Sequence, residues 1–297
     1  AIKIIIFILT VAGVIILIFD NYNHMRFVSF YDVYTLRFES RDSSSGGISG
    51  YLIMWLSICF IPYYTTIGLL EKNRISLFFS FLLSLLVYMA NGSKSTLLMP
   101  FVIIMMNLLI NKKGDFIIKL LMIMNIIIVF LMFINIPYNE MIRAIFFMRT
   151  LATPGWTLTT YYEYFLEHGL TFYTHIGFIN FFSDSYPYGK YSLGQMIGKY
   201  YSGSYDANFN ANFWASDGIA ALGPWGIPLI TMFVLPTIWI INQVSYKINP
   251  KFTALWLTGF WFTLMNVSLT TSLLSGGGLL VIMALFFSNM LKYINRH

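Results

Sequence analysis

The sequence predicts an all-α polytopic membrane protein with at least eight transmembrane helices and one large helical extracytoplasmic loop. Three observations carry that expectation. Only 10% of the 297 residues are charged and the mean hydropathy is +0.70, too little polar surface to cover a soluble core of this length. Eight apolar runs approach the roughly 20 residues needed to cross about 30 Å of hydrocarbon. Lys and Arg are distributed unequally between the two sides that those runs define.

The expected spans are Ile2–Phe19, Tyr51–Leu70, Ile75–Ala90, Thr96–Ile110, Phe116–Ile136, Trp225–Ile241, Phe252–Leu269 and Leu273–Leu291. With this count, the segments Glu71–Arg74, Asn111–Asp115, Asn242–Lys251 and Lys292–His297 share one side. They hold Lys72, Arg74, Lys112, Lys113, Lys247, Lys251, Lys292 and Arg296, whereas the short loops opposite hold only Lys94. Short loops rich in Lys and Arg stay in the cytoplasm. The two long loops, Asp20–Gly50 and Tyr138–Leu222, are therefore expected outside. The chain divides into 1–137, with five spans and the first outer loop at 20–50; the outer loop at 138–222; and 223–297, with three spans.

The net charge of +6 follows from this topology. The cytoplasmic side carries a net +8 and the outer side a net −2. A pI near 9.2 then reflects orientation rather than nucleic-acid binding, and no basic, aromatic-interleaved RNA motif is present. Cys59, the single cysteine, falls inside the second span, where packing is the expected role. Arg41–Gly50 is a small-residue stretch of flexible-linker type. No fixed-period repeat supports a duplicated transporter.

Apart from Lys3 and Lys119, each near a span end, no Asp, Glu, Lys, Arg or His lies within the expected spans. Ion-coupled transport and intramembrane catalysis keep such groups at membrane depth, so the chemistry is expected at the outer surface. Lys94 stands in the turn Asn91-Gly-Ser-Lys-Ser95, at headgroup level, where an ammonium can meet a lipid phosphate or simply snorkel.

The outer loop has 22 aromatic residues among its 85 positions. It opens with the interfacial segment Asn139–Thr150, which carries Arg143 and Arg149. The planar guanidinium fork suits phosphate oxygens, although an interfacial Arg also serves as a plain anchor. A break is expected at Pro154-Gly155, then a helix over Thr157–His168 that stops before Gly169. Farther on, Asp206-Ala-Asn-Phe-Asn-Ala-Asn-Phe-Trp-Ala-Ser-Asp217 alternates amides with aromatics. Asn208, Asn210 and Asn212 can both donate to and accept from sugar hydroxyls. Trp214, Tyr161 and Tyr162 offer flat faces, and Phe213 and Trp214 equally fit a membrane-interface aromatic belt.

Arg149…Pro154-Gly155…Tyr161-Tyr162…Phe165, followed by Asn208-x-Asn-Ala-Asn-Phe-Trp-Ala-x-Asp-Gly…Gly223-x-x-Gly226, resembles the oligosaccharide repeat-unit (O-antigen, Wzy-type) polymerases. The Gly-Ser-Lys turn at Lys94 is similar to a turn of the same group and of the related O-antigen ligases. The motif likeness runs from about Asn91 to Gly226. The family runs longer, with more spans, so a further N-terminal segment is expected; some relatives carry Arg where this chain has Lys94.

The resemblance implies a GT-C-like architecture in a bacterial inner (plasma) membrane, with the large loops periplasmic. It implies transfer of a growing glycan from undecaprenyl pyrophosphate to a lipid-linked repeat unit in lipopolysaccharide or related polysaccharide biosynthesis. The implied partners are lipid-linked oligosaccharide donor and acceptor, membrane lipid and a chain-length regulator protein. Lys94, Arg143 and Arg149 would neutralise the departing pyrophosphate. His168 or His175 would take the acceptor proton, with Asp217 and Glu163 as runners-up. No Asp-x-Asp pair or clustered carboxylates suggest a metal, so no cofactor is expected. An O-antigen ligase passing the glycan to another acceptor, or a non-catalytic flippase of lipid-linked sugars, is the alternative.

Overall fold

Four helices in the described residues, Ile2–Asn21, Gly50–Leu70, Arg74–Asn91 and Ser216–Ser245, are long and apolar enough to cross a membrane. The structure is a computed structural model; residues 2–29, 32–43, 47–111, 115–133, 152–209 and 213–294 are described. Among them every regular element is a helix, as the sequence predicts. Shorter apolar helices cover Lys94–Ile110, Ile118–Leu131 and Gly278–Asn289. Arg143, Arg149, Asn210 and Asn212 lie outside the described residues.

The chain forms two units. The first comprises Ala1–Gly114, Ile240–Thr263 and Ser272–His297. Its helices begin and end where side chains take up unpaired backbone groups. The Asn73 side chain accepts from the amides of Ile75 and Ser76 at 3.0 and 3.2 Å, which starts Arg74–Asn91. Gly92 ends that helix with φ 65°, a left-handed turn that glycine adopts freely. The Asn91 side chain then accepts from the Ser93 amide at 2.9 Å, and the next helix starts at Lys94.

The second apolar run is not a regular α-helix throughout. Gly47–Trp55 continues through a π-helical segment, Leu56–Phe60, into Ile61–Leu70. A π segment shifts the backbone ladder and leaves a carbonyl available; the Trp256 indole donates to the Cys59 carbonyl at 3.0 Å. Both residues are buried, and Cys59 is indeed a free, buried thiol. Gly259 crosses so close to this segment that a Cβ there would lie 2.6 Å from the Ile58 carbonyl oxygen. The Ser57 hydroxyl donates to Ile53 O and accepts from the Thr96 hydroxyl at 2.9 Å, pinning the second and fourth apolar helices together. Trp256→Phe is expected to leave the Cys59 carbonyl orphaned and lower stability by about 1–3 kcal/mol; thermal melting in detergent reads the loss.

The expected span Phe252–Leu269 holds helix Pro250–Trp256 and helix Thr258–Leu264, joined at Leu257, with a new helix from Leu269. The Ser268 hydroxyl accepts from the Thr271 amide at 3.3 Å, a local bond that competes with helix continuation. In the stretch Arg41–Gly50, Arg41–Ser43 ends helix Val33–Ser43 and Gly47–Gly50 begins the next, while residues 44–46 lie outside the described residues. Burial of Val33 and Leu36 against Val28 and Tyr88 holds that helix in place, and the Tyr88 hydroxyl donates to Val28 O at 2.7 Å.

The second unit comprises Asp115–Trp239 and Leu264–Thr271. Its core joins Tyr161, Tyr164 and Phe165 of helix Thr153–His168 to Leu193 and Ile197 of helix Leu193–Ser202 and to Ile219 and Ala220 of helix Ser216–Leu222. The first of these helices ends at Gly169, as expected, but starts before the Pro154-Gly155 pair rather than after it. Proline is tolerated in a first turn, where its missing N–H has no intrahelical partner. Ser192 and Gln195 form a capping box at the start of the second helix.

Tyr186 and Tyr188 pack against this core. The Tyr186 hydroxyl donates to Tyr191 O at 2.8 Å, and the Tyr188 hydroxyl to Gly169 O at 2.7 Å. Burial pushes both phenols up to about 12, with the neighbouring tyrosines adding to it. An unfolded phenol ionises near 10, so between about pH 10 and pH 12 the unfolded chain gives up protons that the fold retains. Stability is full below that window and falls through it. The double variant Tyr186→Phe/Tyr188→Phe is expected to flatten this alkaline loss in a denaturation series from pH 9 to pH 12.

Candidate functional site

Within the second unit, the loop after helix Thr153–His168 turns back onto the last residues of helix Ser216–Leu222. The Thr171 amide donates to Ala220 O at 2.8 Å and the Phe172 amide to Ala221 O at 3.1 Å. The chain then reverses through Phe172 and Tyr173, whose φ values are 48° and 64°. Neither is glycine, and consecutive left-handed residues are strained. This reversal brings His175 to Asp217.

The His175 Nε2 lies 3.4 Å from Asp217 Oδ2, and each side chain is 9% exposed. The Thr270 hydroxyl donates to the same carboxylate oxygen at 2.7 Å. On the other edge of the ring, Nδ1 lies 3.0 Å from the Thr171 hydroxyl, which is itself 3.2 Å from Ala220 O. His175 Nε2 is buried and makes no hydrogen bond in good geometry, and neither does the buried Tyr173 hydroxyl. Burial holds the Tyr173 phenol above its ordinary value, and the Asp217 charge adds to that.

This arrangement accommodates two protonation states by rotation of one hydroxyl. With a neutral ring, Thr171 O–H donates to Nδ1 and Nε2–H faces the carboxylate. With a cationic ring, Nδ1–H donates to Thr171 Oγ1, and that hydroxyl turns to Ala220 O. The Ala220 carbonyl already accepts the Thr171 amide, so it is satisfied in both states. A buried His–Asp pair that gains a proton without orphaning a donor is a proton-accepting device. Thr171 is itself buried, so the Thr–His–Asp series does not expose a nucleophilic hydroxyl.

The position of Asp217 depends on one backbone crossing. Gly218 and Gly226 meet face to face: a Cβ on Gly218 would lie 2.2 Å from Gly226 O, and one on Gly226 would lie 1.8 Å from Gly218 O. Gly223 takes φ 63° in the turn between them. These three glycines fold Ser216–Leu222 back over the start of Gly226–Ser245.

Of the four candidate bases, His175 and Asp217 are together and the other two are elsewhere. The His168 ring stacks on Tyr164 with centroids 4.3 Å apart, and its Nδ1 is 3.0 Å from Tyr164 O. Glu163 accepts from the Tyr201 hydroxyl at 3.0 Å. Tyr161 is 3% exposed in the core and presents no face to a ligand, so its expected sugar-binding role is withdrawn; Tyr162, beside it, is exposed. The Trp214 indole donates to the Thr231 hydroxyl at 3.1 Å, so its edge is held within the unit. Asn208 is exposed. Comparison with family models, curated proteins and solved structures gave no match to this chain.

In the first unit, Lys94 acquires a neighbour that sequence spacing does not reveal. The charge of Arg37 bears on Lys94, and the Arg37 guanidinium lies 3.4 Å from the Gly92 carbonyl. Nearby in the chain, Arg26 Nη2 is 2.9 and 2.8 Å from the two Glu39 oxygens, which holds that carboxyl below its usual range, chiefly through the hydrogen bond. Thr171, Tyr173 and Thr270 were likewise not singled out by sequence. Thr171 stands four residues before His175, the spacing that could have flagged it, whereas nothing local flags Thr270.

Proposed function

We propose that this chain is a membrane-embedded glycosyltransferase that polymerises undecaprenyl-pyrophosphate-linked oligosaccharide repeat units. The observation that carries the reading is the buried His175–Asp217 pair, braced by Thr270 and Thr171. The reading includes at least eight spans, a GT-C-like architecture, and an active loop on the outer face of a bacterial inner membrane.

In this reaction the acceptor sugar hydroxyl forms a bond to the anomeric carbon of the donor glycan. The anomeric carbon–oxygen bond to pyrophosphate breaks, and its electron pair leaves with undecaprenyl pyrophosphate. The hydroxyl proton passes to the His175–Asp217 pair at the ring's Nδ1 edge, the one without a proton in the neutral ring, which lies 3.0 Å from the Thr171 hydroxyl. The strained Phe172–Tyr173 turn moves to open that edge. Charge on the departing pyrophosphate requires cations, the role that the sequence reading gives to Lys94, Arg143 and Arg149. Exposed Tyr162 and Asn208 remain available to sugar hydroxyls and faces, and no metal enters the scheme.

A cellular experiment tests the assignment against transport. With His175→Ala, monomeric lipid-linked repeat units are expected to accumulate on the outer leaflet while polymer disappears. Unaltered polymer, or repeat units retained on the cytoplasmic leaflet, would contradict it.

A further inference from the structure

Helix Gly177–Ser183 begins two residues after His175 and has no buried residue. Its sequence, Gly-Phe-Ile-Asn-Phe-Phe-Ser, contains no charge. Phe178, Phe181 and Phe182 are 72%, 81% and 73% exposed. The rings contact one another rather than the core, with Phe178–Phe182 and Phe181–Phe182 centroids each 5.2 Å apart. Its polar side is committed to the fold: the Asn180 side chain accepts from the Tyr186 amide at 3.1 Å. Phe172, five residues earlier, is also largely exposed.

Three phenylalanines this exposed on so short a helix are an unfavourable surface in water. The same unit supplies the solvent that suits them. Thr171 and Phe172 are bonded to Ala220 and Ala221, on the apolar Ser216–Ser245 membrane-crossing stretch. Within it the regular helix Gly226–Ser245, 20 residues, is about 30 Å long at 1.5 Å per residue, matching the roughly 30 Å of hydrocarbon, so Ser216–Leu222, turned back at Gly223, lies at the surface end of that helix. Exposed apolar side chains begin at Trp225 and continue through Leu229, Met232 and Phe233. From Phe172 to the start of the helix at Gly177 the chain can extend at most about 17 Å. The phenylalanines are thus tethered within reach of the headgroup zone, where an apolar helix lies in the plane of the interface.

We propose that Gly177–Ser183 is an interfacial anchor that inserts Phe178, Phe181 and Phe182 into the boundary between lipid headgroups and acyl chains. It fixes the adjoining His175 at headgroup depth. The occupant is lipid rather than an acidic surface, because the helix has no Lys or Arg, and insertion is expected in zwitterionic bilayers at any salt concentration. The anchor does not depend on the catalytic reading, since its readout is depth rather than activity.

The test uses the full chain with Cys59 replaced by Ala and a single Phe181→Cys bearing an environment-sensitive fluorophore, in phosphatidylcholine nanodiscs. Phe178→Cys is the parallel variant, should the first fail to give monodisperse protein, and Glu167→Cys is the exposed control. The expected result is several-fold stronger quenching by lipids spin-labelled just below the headgroup than at Glu167→Cys, with several-fold weaker quenching by aqueous iodide. Iodide quenching equal to the control overturns the proposal. So does a shielded fluorophore that ignores the spin-labelled lipid and responds instead to the number of copies per disc, because that would place a second copy on this face.

Discussion

Asp217→Asn is expected to lower the rate of the proposed repeat-unit transfer by about 10²–10⁴-fold, the range associated with loss of general acid–base catalysis. The substitution keeps the shape of the side chain, and its amide oxygen still accepts the Thr270 hydroxyl that lies 2.7 Å from the carboxylate. Folding is therefore retained. What changes is the group facing His175 Nε2: a carboxylate stabilises a protonated ring there, whereas an amide does not. His175→Gln, which removes the titrating ring, is expected to lose activity in the same range. Because the two side chains act as one unit, the double variant should be little worse than either alone. Initial rates of substrate consumption by purified variants check this, and a loss smaller than about threefold for Asp217→Asn would remove the pair from the chemistry.

Gly226→Ala destabilises the fold by about 3 kcal/mol or more, at or beyond the upper end of ordinary overpacking effects. The added Cβ would fall 1.8 Å from the Gly218 carbonyl oxygen, and the obstructing atom is backbone, which cannot rotate away. Gly218→Ala meets Gly226 in the same way at 2.2 Å and should behave alike. Gly155→Ala is the control: its Cβ meets nothing within 4 Å, so alanine in that helix should be neutral or stabilising by up to about 1 kcal/mol. Melting curves in detergent distinguish the cases. Wild-type stability in Gly226→Ala would mean that the crossing that carries Asp217 is not as tight as it is described.

Much of the fold was legible because membrane helices announce themselves through local composition. Ile2–Asn21 and Arg74–Asn91 follow from apolar run length, and the latter's ends from Asn73 and Gly92, a cap and a left-handed terminator. The helix ends within Phe252–Leu269 were not legible, because an apolar run does not register where Ser268 diverts a backbone bond or where Gly259 must approach another helix. In the candidate site, His175 and Asp217 were each legible as titratable groups in an aromatic-rich loop. Their pairing was not, since it depends on a chain reversal at Phe172–Tyr173, two residues without the glycine that ordinarily marks such a turn. Thr270 joins the pair from a segment far along the chain, which no local pattern encodes. Tyr161 and Tyr162 were indistinguishable by type, and only helix phase sends one into the core and the other outward.

The most direct measurement gives purified protein in detergent a synthetic undecaprenyl-pyrophosphate repeat unit in the presence of EDTA, with products resolved by gel. The expected result is a ladder rising in whole repeat-unit steps for the wild type and near-absence of it for Asp217→Asn. Wild-type protein that leaves the repeat unit unchanged, or a ladder that Asp217→Asn makes equally well, would contradict the account.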